Sequence, residues 1–375
     1  MTLKHLFKIC LLILLLSQAV WATKVSKPFV AALRLGWLNN SIEIITLPDC
    51  TVSQSFPVHL DTTHLILNGN DSILIPFMCN YSRGYHQIQE LSLSSKKITL
   101  WAKPLSVDPT KIMAGQHSFW VSFEHIIRSE EKLKESRAKG LVDYQYAGFE
   151  VYSKEAPHVV KNRLRLDEGE YITEWTWNAD KSRIYVLSAL FYSIDPKTKI
   201  ETSFSVKNLH APTYIHVIDP NKEKIIHTQD ISTFIDGPFG FHLQNNKLYV
   251  TGAINPLLPI DNTEKGLLKT LHVFDEKTFK LLKTIPIDLY ARKIVGAPED
   301  NRIFILHDRN RITVINSLTD QVESILNMPA YKMFYAGYHR LFIIGAGSHL
   351  FILDTKTLKV IKEIKGDYNF VSIPS

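Results

Sequence analysis

Leu271-His272-Val273-Phe274-Asp275, Ile312-Thr313-Val314-Ile315-Asn316 and Leu350-Phe351-Ile352-Leu353-Asp354 state one segment three times. Each is an apolar strand that ends on Asp or Asn, turns, and leads into a second apolar strand at 279–285, 321–326 and 358–364. The closing residues recur at a spacing of about 40, the length of a four-stranded β-propeller blade. Another strand precedes each unit, as Leu248-Tyr249-Val250-Thr251, Ile303-Phe304-Ile305-Leu306 and Leu341-Phe342-Ile343-Ile344. It appears once more upstream as Ile184-Tyr185-Val186-Leu187. These second strands follow turn-forming groups such as Asn178-Ala179-Asp180-Lys181 and Pro298-Glu299-Asp300-Asn301. They are apolar throughout, as strands covered on both faces must be.

Two weaker units precede these, at 64–105 and 111–166. At the amino-terminal end, 30–38, 41–47 and 51–58 supply three strands of a blade that lacks its innermost one. At the other end, 368–373 is one strand left over. Pairing the surplus strand with the incomplete blade closes a ring and removes two exposed sheet edges. The expected fold class is therefore all-β: a seven-bladed β-propeller, its first blade closed by a C-terminal strand, with 23–375 as one domain.

Residues 1–22 read as a signal peptide. Lys4, His5 and Lys8 form a basic start, 9–16 is an apolar run, and Ala-Val-Trp-Ala at 19–22 offers a cleavage site after Ala22. The run is too short to span a bilayer comfortably, and no later stretch approaches the roughly 18 apolar residues of a spanning helix. The expectation is a periplasmic or secreted protein with no membrane span in the mature chain. Lys and Arg number 43 against 37 Asp and Glu, a net charge of +6 with the signs interleaved. Without a basic block or an aromatic–basic stripe, nucleic acid is not an expected partner. Cys10 lies in the leader, which leaves Cys50 and Cys79. In an oxidising compartment two thiols suggest a disulfide, with a reduced buried pair as the alternative.

Three long insertions, 124–146, 191–212 and 252–269, all fall between the second and third strands of a blade. In a propeller those connections share a face with the starts of the innermost strands. Long loops in a compact fold are commonly functional, so the channel mouth on that face is the expected site. The residues assigned to it are Asp61, His64, His117, Glu174, Trp175, Trp177, Asp236, Phe239, His242, Arg292 beside Lys293, Lys332, Asp367 and Tyr368. A concave mouth mixing carboxylates, bases and aromatics suits a small molecule or a peptide. Each residue also has a structural reading: tryptophans packing between blades, Asp61 and Asp236 capping turns, Arg292 pairing with an acid across the channel.

Catalytic signatures are missing. There is no Gly-x-Ser-x-Gly elbow, no His-Glu-x-x-His or Cys-x-x-Cys spacing, and no phosphate loop. Gly345-Ala346-Gly347 reads as a tight turn. His216 and His272 hold matching third-strand positions, which fits repeat drift better than a metal site. Neither a cofactor nor a metal is expected.

Leu-Tyr-Val-Thr-Gly at 248–252 and Asp-x-Lys-Thr at 275–278 and 354–357 resemble the Tyr-Val-Thr-Asn repeat propellers. That group is structurally similar to the heavy chain of quinoprotein amine dehydrogenases. Over most of the mature chain the resemblance implies an exported seven-bladed propeller. In amine dehydrogenases the quinone belongs to a separate small chain, so it implies no cofactor here and raises a small partner subunit. The function expected is a non-catalytic propeller binding a protein or small-molecule ligand at the insertion-bearing face. The alternative is an enzyme subunit, either an amine dehydrogenase-like scaffold or a hydrolase using mouth carboxylates.

Overall fold

The computed structural model describes residues 28–35, 40–58, 65–68, 72–80, 85–100, 109–115, 117–123, 147–154, 159–167, 170–190, 192–194, 201–203, 212–235, 238–252, 270–288, 291–307, 310–345 and 349–372. Residues 1–27, most of the three insertions, Asp61, His64 and Asp236 lie outside them.

Seven four-stranded antiparallel sheets follow one another along the chain, and the seventh is joined back to the first. The innermost strands, from the second blade to the seventh, are Ile66–Asn68, Pro109–Ala114, Glu170–Trp177, Pro238–Gln244, Ala291–Ala297 and Lys332–Tyr335. The first blade takes its innermost strand, Tyr368–Ser372, from the carboxyl-terminal end. That strand pairs with Phe29–Arg34, setting Phe370 opposite Leu33 and Tyr368 opposite Arg34 across one slip in the ladder. Tyr368 is fully buried, and its hydroxyl donates to the Glu43 carboxylate, which also pairs with Arg34 at 3.0 Å. The protein is a seven-bladed β-propeller closed as the surplus strand requires.

The core is divided into seven apolar layers, one between each pair of neighbouring blades. Ile184 and Val186 pack toward the third blade, while Tyr185 and Leu187 pack toward the fifth. Sheets on both sides explain why the second strands read as unbroken apolar runs. The layer between the seventh and first blades, where Phe342, Ile344 and Ile352 meet Val30, Ala32 and Ile45, completes the ring.

The repeated residues have specific tasks. Asp275 and Asp354 each accept hydrogen bonds from the backbone N–H groups two and three residues on. Asn316 does the same for Leu318 and Thr319. The recurring Asp or Asn is therefore turn chemistry. The tyrosine of the Leu-Tyr-Val segment links blades: Tyr185 donates to Glu276 at 2.8 Å and Tyr249 to Asp320 at 2.9 Å.

One expectation is corrected. Cys50 is a free, buried thiol and forms no bridge to Cys79. It packs with Leu47, Phe342 and Ile344 on the face turned to the seventh blade. Cys79 belongs to Ser72–Asn80 of the second blade, which covers the opposite face of the first sheet through Ile73 and Ile75. Cys50 thus lies on the face of the first sheet turned away from the second blade.

Candidate functional site: the channel mouth

The inner strands of blades three to six share a defect. Each ladder passes over one residue, between Pro109 and Lys111, Ile172 and Glu174, Pro238 and Gly240, and Ala291 and Lys293. Counting pairs from the opposite turn, the residue after each slip holds the same place in its blade: Lys111, Glu174, Gly240 and Lys293. Lys332, opposite Ile344, holds that place in the seventh blade. The first inner-strand residues pair with Phe123, Leu190 and Gly252, where the three insertions depart. This ring of positions thus stands just inside the mouth that those segments flank. Part of the fourth-blade insertion is a hairpin of Tyr192–Ile194 and Glu201–Ser203.

Three members of the ring meet. Lys111 Nζ donates to Glu174 Oε1 at 2.5 Å and to the Trp175 carbonyl at 2.6 Å. Lys293 Nζ donates to Glu174 Oε2. Lys293 belongs to the sixth blade and Glu174 to the fourth, so the contact passes the fifth blade, where the ring residue is Gly240. Burial alone would raise the Glu174 pKa, but the Lys111 and Lys293 ammonium groups hold the carboxyl well below the usual carboxylate range. Burial pushes Lys111 down, and Glu174 opposes that shift. Lys332 donates to the Asn369 carbonyl at 3.0 Å and to Asn369 Oδ1 at 2.6 Å, and burial lowers its pKa.

His242 sits one turn of the ladder further in. A Cβ on Gly296 would lie 2.0 Å from His242 Nε2, so glycine at 296 is what makes room for the ring. Burial, with the Lys293 charge adding to it, brings His242 down to about 4 and keeps it neutral at pH 7.

Other expected mouth residues are placed differently. His117 is exposed, but it lies in the turn after the inner strand Pro109–Ala114, at the end away from the mouth. The inner strand lies before it, so Lys111 and not His117 occupies the mouth. Trp175 is 1% exposed, stacks edge-on against Phe149 and donates to Ser122. Trp177 lies edge-on to Trp120. Both are packing residues between blades three and four. Tyr368 is buried against Glu43, as described above. Asp367 is exposed and its carbonyl accepts from Leu35. Arg292, the residue passed over beside Lys293, is exposed. Phe239 is the residue passed over in the fifth blade.

Lys111 is the functional candidate that sequence reading missed. A signal existed: each ring residue stands about a dozen positions before its ladder partner on the second strand, and Lys111 keeps that distance from Ser122.

A second polar group needs its chemistry tested. Glu170, Ser188 and His216 are all nearly fully buried. His216 Nε2 lies 2.9 Å from Ser188 Oγ and 2.7 Å from Glu170 Oε2, while Nδ1 faces Thr228. A nucleophile–base–acid relay needs serine and acid on opposite ring nitrogens. Here both meet the same one, away from solvent. The third-strand position of His216 is polar and buried in other blades too, as Glu43, Glu150, His272 and Thr313. Each is satisfied within its own blade, by Tyr368, Tyr152, Thr270 and His307 respectively. This is a repeated structural feature. Among the described residues no group of three or more His, Cys, Asp or Glu could hold a metal ion.

No protein-family model matches the sequence, and no curated protein matches it. Among solved structures the chain is similar to apo AztD from Citrobacter koseri, at 11% identity and TM-score 0.49, over 92% of this chain and 96% of that one. It is similar to the dihydro-heme d1 dehydrogenase NirN in complex with DHE, at 13% identity and TM-score 0.52, over 93% and 78%. It is also similar to a chain of the mitotic checkpoint complex, at 10% identity and TM-score 0.54, over 87% and 86%. At these identities the likeness concerns the fold alone.

Proposed function

We propose that the protein is an exported, non-catalytic β-propeller that binds a small polar ligand at the channel mouth flanked by the three insertions. The observation that carries this reading is the Lys111–Glu174–Lys293 bridge, which joins charged side chains of the third, fourth and sixth blades at one level of the inner strands. Hydrogen-bond donors converging at the bottom of a concavity are what a polar ligand needs.

The state of Glu174 supports a binding role over a hydrolytic one. A carboxylate held far below its ordinary pKa is a weak general base, and at neutral pH it carries no proton to donate. The Ser188 group has the wrong geometry for acyl transfer. The resemblance of the repeats to Tyr-Val-Thr-Asn propellers and to amine dehydrogenase heavy chains agrees, because in the latter the reactive group belongs to another chain. Export rests on the leader at 1–22.

The test is a calorimetric screen of small polar molecules against the purified mature chain and Lys111→Gln. We expect binding that the substitution weakens about tenfold or more, the effect of one lost charge-assisted bond. Turnover by the purified chain that disappears in Glu174→Ala would overturn the reading. Exported protein that retains residues 1–22 would overturn the leader assignment.

A further inference from the structure

Resting on that reading, we infer that the ligand of the mouth is a dianion, a dicarboxylate or a phosphate-bearing small molecule, held by Lys293 and Lys332 beside Glu174. The ring position of blades three to seven carries Lys, Glu, Gly, Lys and Lys. Among the described residues of that ring, three ammonium groups stand with a single carboxylate, an excess of two positive charges.

The partners sharpen this imbalance. Glu174 is shared between Lys111 and Lys293, one carboxylate oxygen each. The recorded partners of Lys332 Nζ are a carbonyl and an amide oxygen of Asn369, both neutral. His242, neutral at pH 7, adds no further positive charge. A partly buried excess of charge is costly unless an ion of opposite sign joins it. The supply of donors is also incomplete. An ammonium group has three N–H donors; Lys293 gives one to Glu174, and its side chain keeps 41% of its exposure.

Position favours a small ligand entering from the mouth. Lys293 and Lys332 stand on neighbouring blades at one level, and the Lys293–Glu174 contact lies beside them. Gly240 leaves that level without a side chain on the adjoining blade. An incoming dianion would bridge Lys293 and Lys332, whereas among the described ring residues a cation would meet only the carboxylate that two lysines already occupy.

Calorimetry on the mature chain at low ionic strength and pH 7 tests the inference, with four probes. Succinate and inorganic phosphate are the dianions, and their relative affinity separates carboxylate from phosphate chemistry. Putrescine is the dication and trehalose the neutral probe. We expect one of the dianions to bind. Lys293→Gln combined with Lys332→Gln should weaken it roughly a hundredfold, about tenfold per lost charge. Glu174→Gln should tighten it, since a competing carboxylate is removed. Melting curves confirm that each variant is folded. Dianion binding that the double variant leaves unchanged would overturn the inference. If instead trehalose binds and Lys111→Gln weakens that binding, or putrescine binds and Glu174→Gln weakens that binding, the inference falls and the mouth as a ligand site stands. If none of the four binds, both fall.

Discussion

Lys293 of the sixth blade donates to the carboxylate of Glu174 in the fourth, although the fifth blade lies between them in the ring. The residue at their level in that intervening blade is Gly240. One contact therefore ties sheets that share no apolar layer, and Lys111 extends the tie to the third blade. The same contact lies at the level of the proposed ligand.

Removing the shared carboxylate should have a pH-dependent effect. The folded pKa of Glu174 lies below the ordinary glutamate value of about 4.3. Its charge therefore stabilises the fold above that value, and the contribution fades as the pH falls below it. We expect Glu174→Gln to lower stability by about 3 kcal/mol at pH 7, because two ammonium groups lose their partner. The gap should shrink below about pH 4. Urea unfolding of both chains between pH 7 and pH 3 measures it, and a gap of constant size would contradict the assignment.

Gly296 should not tolerate a side chain. A Cβ there would stand 2.0 Å from His242 Nε2 and 2.3 Å from Gln244 Oε1. Gly296→Ala must displace both, at a cost of about 1–3 kcal/mol. Thermal melting checks this, and an unchanged midpoint would show that the ring of His242 has somewhere else to go.

Closure of the first blade can be cut away. A chain ending at Gly366 loses the ladder to Phe29–Arg34 and the buried Tyr368. Each net hydrogen bond is worth about 0.5–1.5 kcal/mol and each large buried side chain about 1.5–3 kcal/mol. Together they rival the roughly 5–15 kcal/mol that holds a typical domain. We expect the shortened chain to aggregate on size-exclusion chromatography. Monomeric material that melts like the full chain would refute the closure.

Cys50 should be inert in the native state. It is buried, its Sγ–H donates to the Pro48 carbonyl, and burial pushes the thiol pKa up. Only the thiolate is nucleophilic. We expect no alkylation of Cys50 until denaturant is added, and no change in melting temperature with reductant. A reductant-sensitive midpoint would restore the disulfide.

The blades from Ile184 onward were legible because their second strands repeat an unbroken apolar run and their third strands end in a turn-capping Asp or Asn. Ring closure was legible too, since one missing strand matched one surplus strand. The site was only partly so. Glu174 stood out as a charge on an inner strand, but its link to Lys293 joins positions 119 apart in sequence. No local pattern encodes that distance. Lys111 is hidden in the sequence because Pro109–Ala114 opens with proline and lacks clear alternation. The sides of the first sheet were equally hidden, and Cys50 faces the seventh blade for that reason.

Lysine acylation followed by mass spectrometry tests the central claim most directly, because it reads the mouth itself. The protein is labelled with and without succinate or phosphate, and the rate at each lysine is compared. We expect Lys293 and Lys332 to be protected by the bound dianion, while Lys359 on the outer strand of the seventh blade reacts at the same rate in both samples. Protection at outer-strand lysines with Lys293 and Lys332 unaffected would place the ligand elsewhere and contradict the account.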